Sequence, residues 1–294
     1  KNTIPNSKIV YTIHYQTWAF SLNGNLKRFR SIINSEGALP GTRESNIKEQ
    51  FYKEKDFYAA IDKIICISRF TKSLLMHDFG IEESRIALIY NGLKDDGGNV
   101  SMQSKERIKK KIGVIPGEKV ILFVGRLDSI KGLSYLINAF KLVLNKDSHV
   151  HLYILGDGDF SDYLALIKEY WNKVTFTGRL NKDELYEFYQ IADIGVMPSL
   201  HEQCSYVAME MLMFNIPLLI STSTGLNETL EGVEKIEVEE REDDVYISVE
   251  KMAESMLALL QAPPSNMYRE TYLRKYEESL FLEKMRNLYE SLFV

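Results

Sequence analysis

The chain has 294 residues, enough for two domains with separate cores, and its 45% hydrophobic and 26% charged residues are ordinary for a globular protein. A formal net charge of -5 argues against a nucleic-acid partner, which selects for a basic surface, and two cysteines, Cys66 and Cys204, are too few and too far apart for a disulfide framework. No apolar run reaches the roughly 20 residues a membrane span needs and no signal peptide opens the sequence, so a reducing cytoplasmic setting is expected, with at most peripheral contact at the inner face of a membrane.

The sequence starts at Lys1 and runs almost at once into a strand, Ser7 to His14, followed by strands at Lys63 to Ser68 and Arg85 to Gly92. A doubly wound domain normally has about five or more strands, so front strands are expected to be missing, by truncation or because another polypeptide supplies them. His14 closes the first strand, where side chains point into the ligand crevice of such sheets; the plainer alternative is an imidazole bonded to a loop carbonyl. Trp18 and Phe20 are candidates to line an acceptor site, or are packing residues. A turn-rich loop, Ser35 to Ser45, leads into a helix ending near Ala60, and Ser68 to Ile81 reads as a helix stopped by Gly80. Beyond the turn-rich exit Ile89 to Asn99, Ser104 to Gly113 is a basic helix with too few apolar residues to lie on a membrane, so a solvated linker helix is expected.

The second half opens with a buried-looking strand from Lys119, a tight turn at Gly125 and a helix from about Leu133, with Arg126 and Lys131 in the loop between. His149 to Asp159 is the next strand and turn. Asp157-Gly158-Asp159 looks like a metal-binding Asp-x-Asp, and His149 and His151 share a strand face as ligands do. The GDGD run is nevertheless turn chemistry and the histidines lie at the opposite end of the strand, so no metal is expected. Lys173 to Asp193 adds a strand, a Gly178 turn and a helix.

The stretch Pro198 to Gly225, which follows the strand Ile191 to Pro198, carries the chemistry. A strand ends at Pro198, a polar loop carries Glu202, and a helix starts near Ser205, a plausible N-cap. Val207, Met211 and Phe214 repeat at helical spacing, and Glu210 sits about five residues in, roughly 7.5 Å along the axis. A helix start suits phosphate, and carboxylates suit sugar hydroxyls. A diphosphate beside two carboxylates is repelled by about 1 kcal/mol per charge pair at 4 Å in water, so such a site needs fixed cations, for which Arg126 and Lys131 are the candidates. The bland alternative is a solvated Glu202 and a Glu210 paired with a neighbouring base. After Leu230 the acidic run Glu237 to Asp244 reads as a solvated loop, and two amphipathic helices close the chain.

These residues resemble the retaining, nucleotide-sugar-dependent glycosyltransferases of family 4, with the GT-B fold. Glu202 and Glu210 have that family's spacing of two glutamates separated by seven residues; Ile216 to Ile220, with Pro217, is the following strand and Thr224 to Glu228 the Gly turn. Gly125-Arg126-Leu127 with Lys131-Gly132 matches the family's diphosphate-holding loop. The chain departs from the pattern at Gln203-Cys204-Ser205, where Gly-Phe-Gly is frequent, and at Lys94, where Asp usually follows the Asn91-Gly92 hinge. The resemblance implies an α/β protein of two Rossmann-type domains facing a cleft: an incomplete acceptor-side domain over 1–98, a donor-binding domain over 99–272, and a last helix, 273–294, crossing back to the first domain.

The resemblance further implies transfer of a sugar, with retention, from a nucleotide sugar to a hydroxyl acceptor, a glycan or lipid-linked glycan, in bacterial glycan or polysaccharide biosynthesis. A UDP-sugar is the first expectation and GDP- or ADP-sugars the alternatives, with no cofactor and no metal. His14, Arg126, Lys131 and Glu202 take the catalytic roles. Gly125, Gly178, Arg179, Leu180, Cys204, Ser205, Tyr206 and Glu210 bind the donor, Glu210 at its ribose and Gly178 to Leu180 at its base. A dehydrogenase lacks its G-x-G-x-x-G here. A non-catalytic nucleotide-sugar-binding subunit, or a fragment of such an enzyme, is the standing alternative.

Overall fold

The structure is a computed structural model that describes residues 7–37, 39–98, 100–230 and 232–293. Lys1 and Asn99, the expected first residues of the two domains, lie outside the described residues.

The first part of the chain alternates strand and helix: β1 (Val10–Ile13), α1 (Thr17–Ser21), α2 (Leu26–Asn34), α3 (Arg43–Ala59), β2 (Lys63–Cys66), α4 (Arg69–His77) and β3 (Ile86–Leu88). The strands form a parallel sheet in the order β1-β2-β3, and each is shorter than the sequence reading. Parallel pairing requires helical crossovers, whose ends are capped by local side chains: Asn25 for α2, Thr42 for α3 and Ser68 for α4 each accept from a first-turn amide. Phe29 of α2, Phe51 of α3 and Phe79, just beyond α4, join Ile64 in one core, with the Trp18 ring stacked 4.4 Å from Phe29.

After α5 (Met102–Ile112), closed by Gly113 at φ 87, come β4 (Lys119–Val124), α6 (Leu133–Leu144), β5 (Val150–Leu155), α7 (Ser161–Leu166), β6 (Val174–Gly178) and α8 (Lys182–Ile191). The chain continues with β7 (Ile194–Met197), α9 (Tyr206–Met213), β8 (Leu218–Ser221), α10 (Thr224–Thr229), β9 (Glu234–Ile236), β10 (Val238–Glu240), β11 (Val245–Ile247), α11 (Val249–Gln261), α12 (Met267–Lys275) and α13 (Glu278–Ser291). Six strands form one parallel sheet in the order β6-β5-β4-β7-β8-β9. Alternate residues of β4 enter the two cores on opposite faces of the sheet, Ile121 and Phe123 on one and Val120 and Leu122 on the other, which is why β4 reads as an unbroken apolar run.

This order reverses direction between β4 and β7, and sheets of this kind bind ligands at the carboxyl ends of the strands flanking such a reversal. The loops after β4 and β7 are the two stretches that carry Gly125 to Lys131 and Pro198 to Ser205. Topology therefore brings them together.

One expectation is corrected. The acidic run Glu237 to Asp244 is only in part a solvated loop: Val238 to Glu240 form β10, paired antiparallel with β11, and Arg241 to Asp244 are the exposed turn between them. Its Glu240 carboxylate accepts from the Lys27 amide at 3.1 Å, and Asn25 donates to the Arg241 and Asp244 carbonyls at 2.7 and 3.2 Å. The hairpin thus seats the start of α2 on the larger sheet's unit. At the far end of the chain, the Leu93 amide donates to the Tyr276 carbonyl at 2.8 Å and the Tyr272 hydroxyl to the Leu93 carbonyl at 2.7 Å. α13 itself touches Gly92 through Phe281, and none of its side chains is fully buried.

Candidate active site at the reversal of strand order

Two neighbouring cavities open at the carboxyl ends of the strands, and Arg126 lines both. The larger, about 610 Å³, lies over the ends of β4, β5 and β6 and includes Gly125, Arg126, Arg179 and Leu180 of the expected donor residues. Its floor is backbone: the Gly125 amide donates to the Leu155 carbonyl, Leu127 to Asp157 and Gly156 to Gly178, at 2.9, 2.9 and 3.0 Å. Gly178 is not itself on the wall; its carbonyl holds the Gly156 amide beneath it. Gly156, Asp157 and Gly158 also line this cavity, a role the sequence reading missed by taking them only as turn chemistry. The turn chemistry is present as well, since Asp157 accepts from the Gly158 amide and Asp159 from the Ser161 amide, both at 2.9 Å.

The smaller cavity, about 190 Å³, lies between the two sheets and is lined by His14, Gln16 and Phe20 from the first unit with Arg126, Lys131, His201, Glu202 and Cys204 from the second. The four expected catalytic side chains therefore share one cleft. Lys131 and Glu202 form an ion pair, 20% and 13% exposed at their side chains, and the Ser199 hydroxyl donates to the same Glu202 carboxylate at 3.2 Å. The Arg126 guanidinium is 3.1 Å from Asp128 and lies 5.5 Å from the centre of the Phe20 ring. Burial pushes the Cys204 thiol up to about 12, so it stays protonated at neutral pH.

Ser205 caps α9 through the Ala208 amide at 3.3 Å, and Tyr206 is exposed on its first turn. Glu210, one turn further, accepts from the Tyr189 hydroxyl at 2.7 Å; burial pushes its carboxyl up and that hydrogen bond offsets part of the shift. These three residues stand beside Cys204 on the helix, outside the walls of the two cavities. His149 is exposed, while His151 is bonded to Thr175 at 2.8 Å.

The profile of the family described as glycosyl transferases group 1 matches residues 104–274, more than half the chain, and that of Glycosyltransferase Family 4 matches residues 4–96. The chain belongs to the glycosyl transferases of group 1. It is 35% identical over 173 residues to an uncharacterized glycosyltransferase of Methanocaldococcus jannaschii, covering 57% of this chain and 44% of that one. It is 27% identical over 195 residues to the mannosylfructose-phosphate synthase of Agrobacterium fabrum, covering 62% and 42% respectively. The chain spans about half the length of the curated relatives it matches. In fold, this group 1 family member resembles Anabaena Alr3699/HepE, solved in complex with UDP-glucose, with a TM-score of 0.75 at 14% identity over 97% of this chain and 72% of that one. The architecture is GT-B. Among the described residues, no helix is long and apolar enough to cross a membrane.

The group 1 chain also buries residues at the contact between its two units that no periodicity in the sequence announces. Gln203 accepts from the Ser68 hydroxyl at 3.0 Å and from Thr71, both at the start of α4. Glu228 accepts from the Arg69 amide at 2.6 Å. His201 packs edge-on to the rings of Trp18 and Phe70, each 5.7 Å away, and burial, with Lys131 nearby, lowers its pKa to about 4. An imidazole held neutral in the fold and protonated near pH 6.5 when unfolded contributes stability that is fully present above pH 6.5 and is lost as the pH falls towards 4. This loss is expected to amount to roughly 3 kcal/mol, and His201→Phe should remove it: the difference between wild-type and variant urea stabilities changes between pH 7 and pH 4.5. A difference that stays constant over that range sinks the assignment.

Proposed function

We propose that this protein moves a sugar from a nucleotide-sugar donor to a hydroxyl acceptor with retention of configuration, in the manner of family 4. The observation that carries the reading is the convergence of His14, Arg126, Lys131 and Glu202 on one cleft, with Arg126 shared by the adjoining chamber at the strand ends. That chamber has the size and backbone-rich floor for a base and ribose, and a UDP-sugar is the donor we favour because a fold neighbour was solved with UDP-glucose.

The charges account for the chemistry. Breaking the bond between sugar and diphosphate leaves negative charge on the departing phosphate, and Arg126 and Lys131 supply fixed cations where that charge develops. Before the donor arrives, Glu202 neutralises Lys131; the incoming diphosphate competes for the ammonium and frees the carboxylate to accept sugar hydroxyls. His14 positions the sugar from the opposite wall, and the amides at the start of α9 face the phosphate. Glu210, bonded to Tyr189 outside the walls of both cavities, is assigned to the ribose by the family resemblance alone, which requires the ribose to extend from the chamber toward α9. The division of labour we favour is an acceptor side over 1–98, a donor side over 99–272 and a crossing helix over 273–294. The acceptor is a glycan or lipid-linked glycan of bacterial polysaccharide synthesis, met in the cytoplasm or at the inner membrane face, with no metal or cofactor required.

Calorimetry with UDP, GDP and ADP and their sugars, followed by donor turnover monitored by NMR, tests this. We expect one diphosphate series to bind and the released sugar to keep its anomeric configuration. Inversion removes the retaining claim; binding without turnover leaves a nucleotide-sugar-binding subunit; no binding of any diphosphate overturns the reading.

A further inference from the structure

We propose that Gln16 is a ligand of the transferred sugar, its amide NH2 donating to a sugar hydroxyl; the claim rests on the donor reading above. Gln16 lies three residues beyond the end of β1, is 1% exposed, and lines the cavity shared by His14, Lys131 and Glu202. Its amide orientation is determined. Oε1 accepts from the Trp18 indole N–H at 3.2 Å, and since indole nitrogen only donates, a flipped amide would set two donors against each other. The Trp18 ring is itself clamped between Phe29 and His201.

Nε2 is therefore turned away from Trp18, and it is buried without a hydrogen-bond partner among the described residues. Leaving such a donor unpaired in a buried site is unfavourable, and the acceptors on Gln203, Glu202 and His201 that share this cavity already have partners. Gln203 already accepts from Ser68 and Thr71, Glu202 holds Lys131 and Ser199, and the two ring nitrogens of His201 face Thr224 and Gln203. An acceptor oxygen brought in by a ligand would satisfy it. The neutral amide suits a neutral hydroxyl, whereas the cations Arg126 and Lys131 suit the phosphates, and a hydroxyl held between this NH2 and the Glu202 carboxylate both accepts and donates. Tyr15 and Phe20, whose rings line the same cavity, are 65% and 48% exposed, so rotamer changes that open the wall disturb no core packing.

The test compares UDP with UDP-glucose, and GDP with GDP-mannose, by calorimetry on the full chain. Gln16→Leu removes the donor at similar volume, and Gln16→Glu keeps the acceptor for Trp18 but removes the NH2. Each should bind the free diphosphate within about twofold of wild type while losing about 10-fold or more in affinity for the sugar nucleotide. Trp18→Phe, which frees the amide, should weaken the sugar nucleotide less than Gln16→Leu and add nothing to it in the double variant. An unchanged ratio of sugar-nucleotide to diphosphate affinity in both Gln16 variants overturns the assignment, as does equal weakening of both ligands, the mark of a structural role. A wild type that binds no diphosphate overturns the donor reading, and this assignment with it.

Discussion

Lys131→Ala lowers sugar transfer by about 10²- to 10³-fold, the usual effect of deleting one fixed group that stabilises developing charge, while the protein remains folded. The lysine is positioned for this by the chain on either side of it. The Lys131 amide donates to the Asp128 carbonyl at 3.1 Å, and Gly132, at φ 68, turns the chain into α6 hard against the Pro198 carbonyl. That approach ties the β4 loop to the β7 loop and leaves the ammonium beside Glu202.

Removing the cation leaves Glu202 without its partner, but the carboxylate lines an open cleft and keeps Ser199, so the loss of stability should be about 1–2 kcal/mol, below the 3–5 kcal/mol of a fully buried pair. Lys131→Ala combined with Glu202→Gln should recover that stability in urea titration and none of the rate. A single variant that turns over donor as fast as wild type removes Lys131 from the chemistry.

Gly156→Ala should be the more damaging to the fold. Gly156 sits at φ 146, and a methyl group on it would overlap the Gly125 carbonyl oxygen. Both atoms belong to the floor of the larger cavity, where successive amides and carbonyls carry the pairing of β4, β5 and β6 into their loops. Backbone strain of about 1–3 kcal/mol and overpacking of a similar size lead us to expect a loss of roughly 2–5 kcal/mol in urea unfolding. The same displacement moves Gly125 and Arg126, so UDP binding should fall by at least about 10-fold in protein that still folds at low temperature. Wild-type stability and affinity in this variant would mean that the loops are not in the contact described.

The elements were legible where local physics dominates. The apolar run of β4 marks a strand buried on both faces, and Ser205 ahead of the repeat Val207, Met211 and Phe214 marks a capped helix. The acidic run misled because β10 is only three residues long and two of them are glutamate, so no hydrophobic pattern announces it. Its partner β11 is anchored by Val245 and Ile247 in the core, and Asn25 and Lys27, more than two hundred residues earlier, bond to the turn carbonyls and to Glu240. Gly156 to Gly158 hid in the same way, since a glycine turn at a strand end looks alike whether it faces water or a ligand.

By itself the sequence determined the residue types a charged leaving group demands, Arg126, Lys131, Glu202 and Glu210, and the alternation of strand and helix that holds them, because capping, periodicity and charge are encoded in neighbours along the chain. Only the tertiary structure decided that Lys131 meets Glu202, that His201 is sealed between Trp18 and Phe70, and that the Gln16 amide NH2 is buried without a partner among the described residues. Burial and pairing across two separate sheets depend on where distant segments come to rest, and a strand order that reverses between β4 and β7 is a property of the assembled sheet.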